Sequence, residues 1–168
     1  KGKEKITSNF KQSLIAQRQT HFYCVAQTEV EFEPNDENQM AGLTIFYCNE
    51  LFYYLYVGFD KNIGKFISIM STNFTNINLF ETDPIAVNAT RIHLKAEITP
   101  KKLQFYYSLD EKAWTKVGGE LDMTIICDEH ANGFTGTFIG LCCQDPATMS
   151  NYADFDYFEV VNYNKNND

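Results

Sequence analysis

The feature that most limits how this chain can fold is the recurrence of short segments in which apolar and polar residues alternate. In residues 91–98, which show this best, every second residue is apolar: Ile92, Leu94, Ala96 and Ile98. A period of two places such residues on one face of a β-strand. Roughly ten to twelve short segments of strand character occur along the chain, without a convincing amphipathic helix or an internal repeat, and this spacing predicts an antiparallel β-sandwich.

Two neighbouring segments are apolar on both faces. Residues 43–48 and 51–59 are apolar at nearly every position and are separated only by Asn49 and Glu50, which predicts a buried hairpin. Aromatic residues occur here and in a later strand, at Phe46, Phe52, Tyr54, Tyr56 and Tyr106. They could belong to the core, to an interface with another domain, or to a platform on which sugar rings stack. Periodicity does not choose between these three alternatives.

Length and charge restrict the class of protein. A chain of 168 residues is most simply one domain, and folding should bury about 70% of its surface. The net charge of −8 argues against the phosphate backbone of a nucleic acid and against an anionic membrane as partners. No apolar segment approaches the ~20 residues needed to span a bilayer. A neutral partner such as a sugar is compatible with this composition.

The cysteine and histidine patterns exclude a transition-metal site. The five cysteines are odd in number, lack CxxC spacing, and include the adjacent pair Cys142 and Cys143, which could form a bridge only with strain. We expect free thiols in a reducing compartment and therefore a cytoplasmic location. The histidines are far apart in sequence and do not lie at zinc-ligand spacing from a cysteine: His21, His93 and His130.

Several separated strings of the sequence resemble parts of one known domain. FTGTFIGLCCQD, residues 134–145, followed by ADFDYFE, residues 153–159, closely resembles the end of the C-terminal β-sandwich domain of family 43 glycoside hydrolases, of the β-xylosidase and α-arabinofuranosidase type. Upstream, the strings QSLIAQRQTHF, EFEPNDENQMAGLTIFY, FYYLYV and LQFYYSLDEKAW resemble the same domain in the same order. The resemblance covers about residues 13–163.

The resemblance implies a fold, a partner and a role. It implies a concanavalin A-like antiparallel β-sandwich, or jelly roll, that packs on the five-bladed catalytic β-propeller of the same enzyme. The propeller would hold the general acid and base that hydrolyse a xylo-oligosaccharide with inversion, so this chain alone is expected to be non-catalytic. We expect an inter-domain connector over residues 1–19, the accessory sandwich over 20–163 and a polar tail over 164–168. The alternative is an independent carbohydrate-binding module for xylan.

Phe134 is the main candidate for contact with a substrate. A large apolar side chain between Gly133 and Thr135, with Gly136 following, has few neighbours to pack against and is expected on a projecting loop. A loop aromatic folded back onto its own sheet is the structural alternative. In the resembled family the phenylalanine of the FTG motif reaches into the pocket of the propeller. The resemblance gives Thr135 a place beside this pocket, with Asp128, Glu129 and Thr135 supporting the loop.

Acidic residues are numerous enough to require two further interpretations. Glu29, Glu31 and Glu33 recur at a period of two, which is typical of a solvated strand face rather than of a catalytic carboxylate pair. Asp154 and Asp156 flank Phe155 and could offer two hard oxygen ligands to calcium, although solvated aspartates at a strand edge are the alternative. No other cofactor is expected.

Overall fold

Two antiparallel β-sheets form the fold in the computed structural model, which describes residues 1–164. The first sheet contains β1 (Ser13–Arg18), β3 (Met40–Cys48), β4 (Leu51–Asp60), β5 (Gly64–Asn73), β6 (Asn76–Asn78), β7 (Ile85–Ala86) and β11 (Phe138–Gln144). The second contains β2 (Cys24–Glu31), β8 (Arg91–Ile98), β9 (Lys102–Ser108), β10 (Thr115–Asp122) and β12 (Asp154–Asn162). A short 3-10 helix, Met123–Ile125, and a single-turn helix, α1 (Asp128–Ala131), precede β11. Beyond Asn164, the predicted polar tail lies outside the described residues.

The first and last strands of the chain both lie at a sheet edge, β1 in the seven-stranded sheet and β12 in the five-stranded sheet. The seven-stranded sheet runs β1-β11-β3-β4-β5-β6, with β7 beside β5, and the five-stranded sheet runs β10-β9-β8-β2-β12. Apolar side chains from both sheets meet in one core, in which the alternating residues of β8 point inwards as predicted. The prediction of an all-β antiparallel sandwich is confirmed.

The outer face of the seven-stranded sheet carries a second apolar cluster. Alternate residues of β4 enter the core between the sheets, whereas Phe52, Tyr54 and Tyr56 point the opposite way and are fully buried. The hydroxyl of Tyr54 donates to the carbonyl of Cys142 at 2.9 Å, so this buried polar atom is satisfied. The prediction of a hairpin buried on both faces is confirmed, and these three aromatics are core residues.

The first nineteen residues lie differently from the expected connector. Ile6 is completely buried against the outer aromatic cluster, and Gln144 accepts a 3.1 Å hydrogen bond from its backbone N–H. Residues 13–18 form β1, which pairs antiparallel with β11, so that Leu14 lies opposite Cys142. The segment therefore belongs to the sandwich. Ile6 covers part of the apolar outer face of the sheet, which is favourable because it removes apolar surface from water. Phe22 precedes β2, which begins at Cys24, and is 74% exposed.

All five cysteines are free thiols, as expected. Cys142 and Cys143 are neighbours on β11 and point to opposite faces of the sheet, Cys142 into the outer cluster and Cys143 into the main core. Opposite directions on a pleated strand keep the two sulfur atoms apart. Across residues 1–164, the helices are too short to cross a lipid bilayer.

Candidate functional site

Phe134 projects from the protein surface with 97% of its area exposed. It lies at the centre of residues 132–137, which connect α1 to β11 and are called the Phe134 loop below. At this exposure the ring buries almost none of its apolar surface within the domain. The expected projecting position is present, and the alternative of a ring folded back onto its own sheet is wrong.

The chain enters the loop through a sharp turn. Asn132 ends α1 in the left-handed conformation, with φ 51° and ψ 42°. The N–H of Gly133 then donates to the carbonyl oxygen of Asp128 at 3.2 Å, which closes the last turn of α1. Asparagine tolerates this conformation better than most residues, and it commonly ends helices. The turn directs the following residues away from the sheet.

Asp128 holds the far side of the loop. Its Oδ1 accepts a 2.7 Å hydrogen bond from the hydroxyl of Tyr47, at the end of β3, and a 2.9 Å bond from the N–H of Gly136. The bond from Tyr47, followed by that from Gly136, lowers the pKa of the Asp128 carboxyl below its ordinary value. Asp128 is therefore a carboxylate at neutral pH, and a carboxylate is a stronger acceptor than a neutral oxygen.

Arg18 holds the loop from β1. Its Nη1 donates to the carbonyl oxygen of Thr135, and its guanidinium carbon lies 5.0 Å from the centre of the Phe138 ring. Arg18 also lies opposite Phe138 in the pairing of β1 with β11. The three side chains of Tyr47, Asp128 and Arg18 are called the loop clamp below.

A side chain is disfavoured at both glycines of the loop, at Gly133 by its close neighbour Tyr47 and at Gly136 mainly by the backbone conformation. A Cβ atom on Gly133 would collide with the hydroxyl of Tyr47, and one on Gly136 would lie 2.7 Å from Nη1 of Arg18. Gly136 also has φ +69°, a conformation that side chains strongly disfavour. Here the FTG motif is constrained by the residues that hold its backbone.

A cleft of about 480 Å³ opens beside the loop. Residues from four parts of the chain line it, among them Gln19, His21, Phe22, Pro100, Asp128, Glu129 and Gly136. Glu129 is exposed and lies along this cleft, whereas Thr135 is exposed and lies on the loop itself. Of the three residues expected to support the loop, Asp128 does so through its side chain and Thr135 through its carbonyl oxygen.

The glutamates of β2 and the residues after it pair with basic side chains. Glu31 lies 3.2 Å from Arg91, and Glu33 lies 2.9 Å from Lys65. Glu29 lies 3.5 Å from Arg91, but its side chain is only 15% exposed, so it is less solvated than the alternating pattern predicts. Such pairs are ordinary features of a strand face. They do not form the isolated carboxylate pair that glycoside hydrolysis requires.

Asp154 and Asp156 are both exposed at the start of β12. Asp154 lies opposite Glu31, and the pairing with β2 is interrupted by a bulge after Phe155. Within residues 1–164, no group of three or more His, Cys, Asp or Glu is placed to hold a metal ion. The calcium site at these two aspartates stays a prediction, which melting with and without millimolar calcium tests.

Sequence reasoning missed two of the three clamp residues. Arg18 lies in the segment expected to be a connector, and Tyr47 lies in a strand predicted to be buried on both faces. One signal was available for Tyr47, because a tyrosine at the end of a buried strand needs a partner for its hydroxyl. The partner itself is 81 positions away, at Asp128, and could not be identified from sequence spacing.

Comparison with known protein families gives a match over nearly the whole described chain. The family described as "Beta xylosidase C-terminal Concanavalin A-like domain" matches residues 1–161. The chain is 35% identical over 167 residues to xylosidase/arabinosidase 43B of Humicola insolens, covering 94% of this chain and 31% of that protein. It is 32% identical over 163 residues to a putative β-xylosidase of Escherichia coli K12, covering 94% of this chain and 30% of that protein.

A solved structure shares both the fold and the sequence. The crystal structure of xylan β-1,4-xylosidase from Bacillus halodurans C-125 superposes with a TM-score of 0.90 and 36% identity, over 95% of this chain and 31% of that one. This chain therefore spans about a third of the length of the relatives that it matches, which continue into further domains.

Proposed function

The chain belongs to the family of C-terminal concanavalin A-like domains of β-xylosidases, and we propose that it acts as the accessory domain of a xylan-degrading family 43 glycoside hydrolase. In this role it packs on the catalytic β-propeller of the same protein and helps to close the pocket that holds a xylo-oligosaccharide. The relatives are about three times as long as this chain, which supports a partner domain in the same polypeptide.

The exposure of Phe134 is the observation that carries this proposal. The Phe134 ring is 97% exposed to water. Covering this apolar surface with another protein surface or a ligand would lower the free energy of the system. The surrounding loop is held by hydrogen bonds on both sides, so the ring is presented in a defined place. A ring of this kind suits the wall of a pocket, where it can lie against the apolar face of a sugar.

The proposed contribution to hydrolysis is indirect. The general acid and the general base lie on the catalytic domain, and this chain supplies neither. Phe134 narrows the pocket around the terminal sugar unit and excludes water that does not take part in the reaction. Thr135 lies at the rim of the same pocket. A wall of this kind favours a short substrate end over the interior of a long chain.

Replacement of Phe134 by alanine in the full-length protein tests the proposal. We expect kcat/KM for xylobiose to fall by about 10- to 200-fold, the range for loss of an apolar contact with substrate. The melting temperature should not change, because the ring has no contacts to lose within the domain. Unchanged kcat/KM in the variant would show that Phe134 has no role in the pocket.

An independent carbohydrate-binding module for xylan is the alternative from another functional class. It needs an accessible aromatic platform, and three of the five candidate aromatics, Phe52, Tyr54 and Tyr56, are fully buried. Tyr106 lies over the amino group of Lys95, at 4.4 Å, so one side of its ring is already occupied. Titration with xylo-oligosaccharides separates the two proposals, since the accessory role predicts no binding by this domain alone.

A further inference from the structure

Backbone hydrogen bonds hold the loop on both sides of Phe134, at Gly133 before it and at Thr135 and Gly136 after it, while the Phe134 ring is exposed. On one side the N–H of Gly133 donates to the carbonyl oxygen of Asp128. On the other side the carbonyl of Thr135 accepts from Arg18, and the N–H of Gly136 donates to the Asp128 carboxylate. Surface loops usually leave such groups to water. Here these three groups have protein partners, whereas the side chain of Phe134 is 97% exposed.

The loop clamp joins three separate parts of the chain. Tyr47 is the next-to-last residue of β3, Asp128 begins α1, and Arg18 ends β1. β1 pairs with β11, which follows the loop. Asp128 and Arg18 carry opposite charges, and the arginine helps to keep the aspartate ionised. A loop fixed in this way has little conformational freedom to lose when its exposed ring is covered.

We propose that the loop clamp positions the ring of Phe134 for the substrate pocket, with Asp128 and Arg18 as positioning residues. This inference rests on the proposed function, because it needs Phe134 to contact substrate. The clamp residues act through Phe134 and do not touch the sugar themselves. Their effect on turnover therefore depends on the presence of the phenylalanine ring, whereas a general effect on folding does not.

A double-mutant cycle in the full-length protein tests this dependence. Asp128→Ala removes the acceptor for both the Tyr47 hydroxyl and the Gly136 N–H, and we expect it to lower kcat/KM for xylobiose about 10-fold. In the Phe134→Ala background the same substitution should have no further effect. Arg18→Ala provides a second, independent cycle, which is decisive if the Asp128 variant does not fold.

The two possible failures have different signatures. If Phe134→Ala leaves kcat/KM unchanged, the proposed function is wrong, and the positioning role falls with it. If Phe134→Ala lowers kcat/KM but Asp128→Ala and Arg18→Ala lower it equally in both backgrounds, the proposed function stands and the positioning role is wrong. Equal fold-decreases in the two backgrounds would mean that the clamp residues affect kcat/KM independently of the Phe134 ring.

Two further measurements separate positioning from general stability. Asp128→Asn keeps an oxygen acceptor and should recover most of the lost kcat/KM. Asp60→Ala is the matched control, because Asp60 also accepts backbone hydrogen bonds in a turn, at the other end of the β3–β4 hairpin from Tyr47. We expect hydrogen exchange of the Gly136 amide to speed up in Asp128→Ala but not in Asp60→Ala. Unchanged exchange in Asp128→Ala would contradict the clamp.

Discussion

The hydroxyl of Tyr47 donates a 2.7 Å hydrogen bond to the carboxylate of Asp128, and so joins the end of a core strand to the helix that begins the Phe134 loop. This bond is the main reason that the pKa of Asp128 is lowered. In Tyr47→Phe we expect this pKa to rise towards its ordinary value, since only the Gly136 N–H and the more distant Arg18 still favour the charged form. NMR titration of the carboxyl carbon measures the change. An unaltered pKa would mean that the hydroxyl is not a donor to Asp128 in solution.

Stability at low pH should depend on Asp145. This fully buried residue accepts hydrogen bonds from Thr148, Asn151 and Ser150. Burial raises the pKa of the carboxyl, but these hydrogen bonds outweigh burial and place the pKa well below the usual range. A lowered pKa in the folded state stabilises the protein above the unfolded pKa of about 3.9, and this contribution is lost as the pH falls below that value.

The substitution Asp145→Asn tests this dependence of stability on pH. The amide leaves buried donors without an ionised acceptor, and we expect it to cost about 1–3 kcal/mol in the free energy of unfolding at pH 7. The cost should shrink as the pH is lowered from about 5 to about 2, because the carboxyl of Asp145 becomes protonated in the unfolded wild-type chain while it stays ionised in the folded protein. Urea unfolding across this range is the measurement, and Asp83→Asn, at an exposed position, is the control. A difference that does not vary with pH would contradict the assigned ionisation.

Truncation of Ile6 should destabilise the domain. Its side chain is completely buried on the outer face of the seven-stranded sheet, and we expect Ile6→Ala to cost about 2–5 kcal/mol in the free energy of unfolding. Phe10→Ala is a matched control from the same segment, because Phe10 is 86% exposed, and it should change stability by less than about 0.5 kcal/mol. Equal effects of the two substitutions in urea unfolding would place the segment outside the sandwich.

Thiol labelling should distinguish two classes of cysteine. Burial raises the pKa of Cys24 to about 11 and that of Cys142 to about 12, and Cys143 is also buried. Cys48 and Cys127 are only half-buried. Because the thiolate is the reactive form, we expect two thiols to react quickly in the native protein at pH 8 and all five after unfolding. Reductant should leave the melting temperature unchanged, and a lower melting temperature would reveal a disulfide.

The alternation of apolar and polar residues was enough to predict the orientation of strands with one buried and one polar face. The alternation along β8 was sufficient because one face of that strand is buried and the other is largely polar. It was insufficient for β4, where both faces are apolar and only the structure distinguishes the core from the outer cluster. The placement of residues 1–12 was also out of reach, since it depends on one buried isoleucine, Ile6, and on a surface formed by distant strands.

The candidate site divides in the same way. Phe134 could be predicted from its glycine neighbours, because the absence of nearby side chains is a local property. The residues that hold its loop could not, because Arg18 and Tyr47 reach it only through pairing across the sheet and through a long-range hydrogen bond. The exposure of a side chain can thus be predicted from its neighbours in sequence, whereas contacts with residues distant in sequence require the structure.

The strand order described above also sets the sequence of events in folding. β1 pairs with β11 and β2 pairs with β12. Each sheet therefore contains a pair of strands that are far apart in sequence. Contacts between such distant segments form slowly, because the chain between them must lose the entropy of loop closure before the contacts can stabilise the structure. During synthesis β1 and β2 emerge long before β11 and β12, so these two strand pairings cannot form until residues 138–162 have left the ribosome. Until then β1 and β2 each have an open strand edge that is paired in the fold, and open edges favour aggregation. Refolding of this domain should be slower than that of a helical domain of equal length.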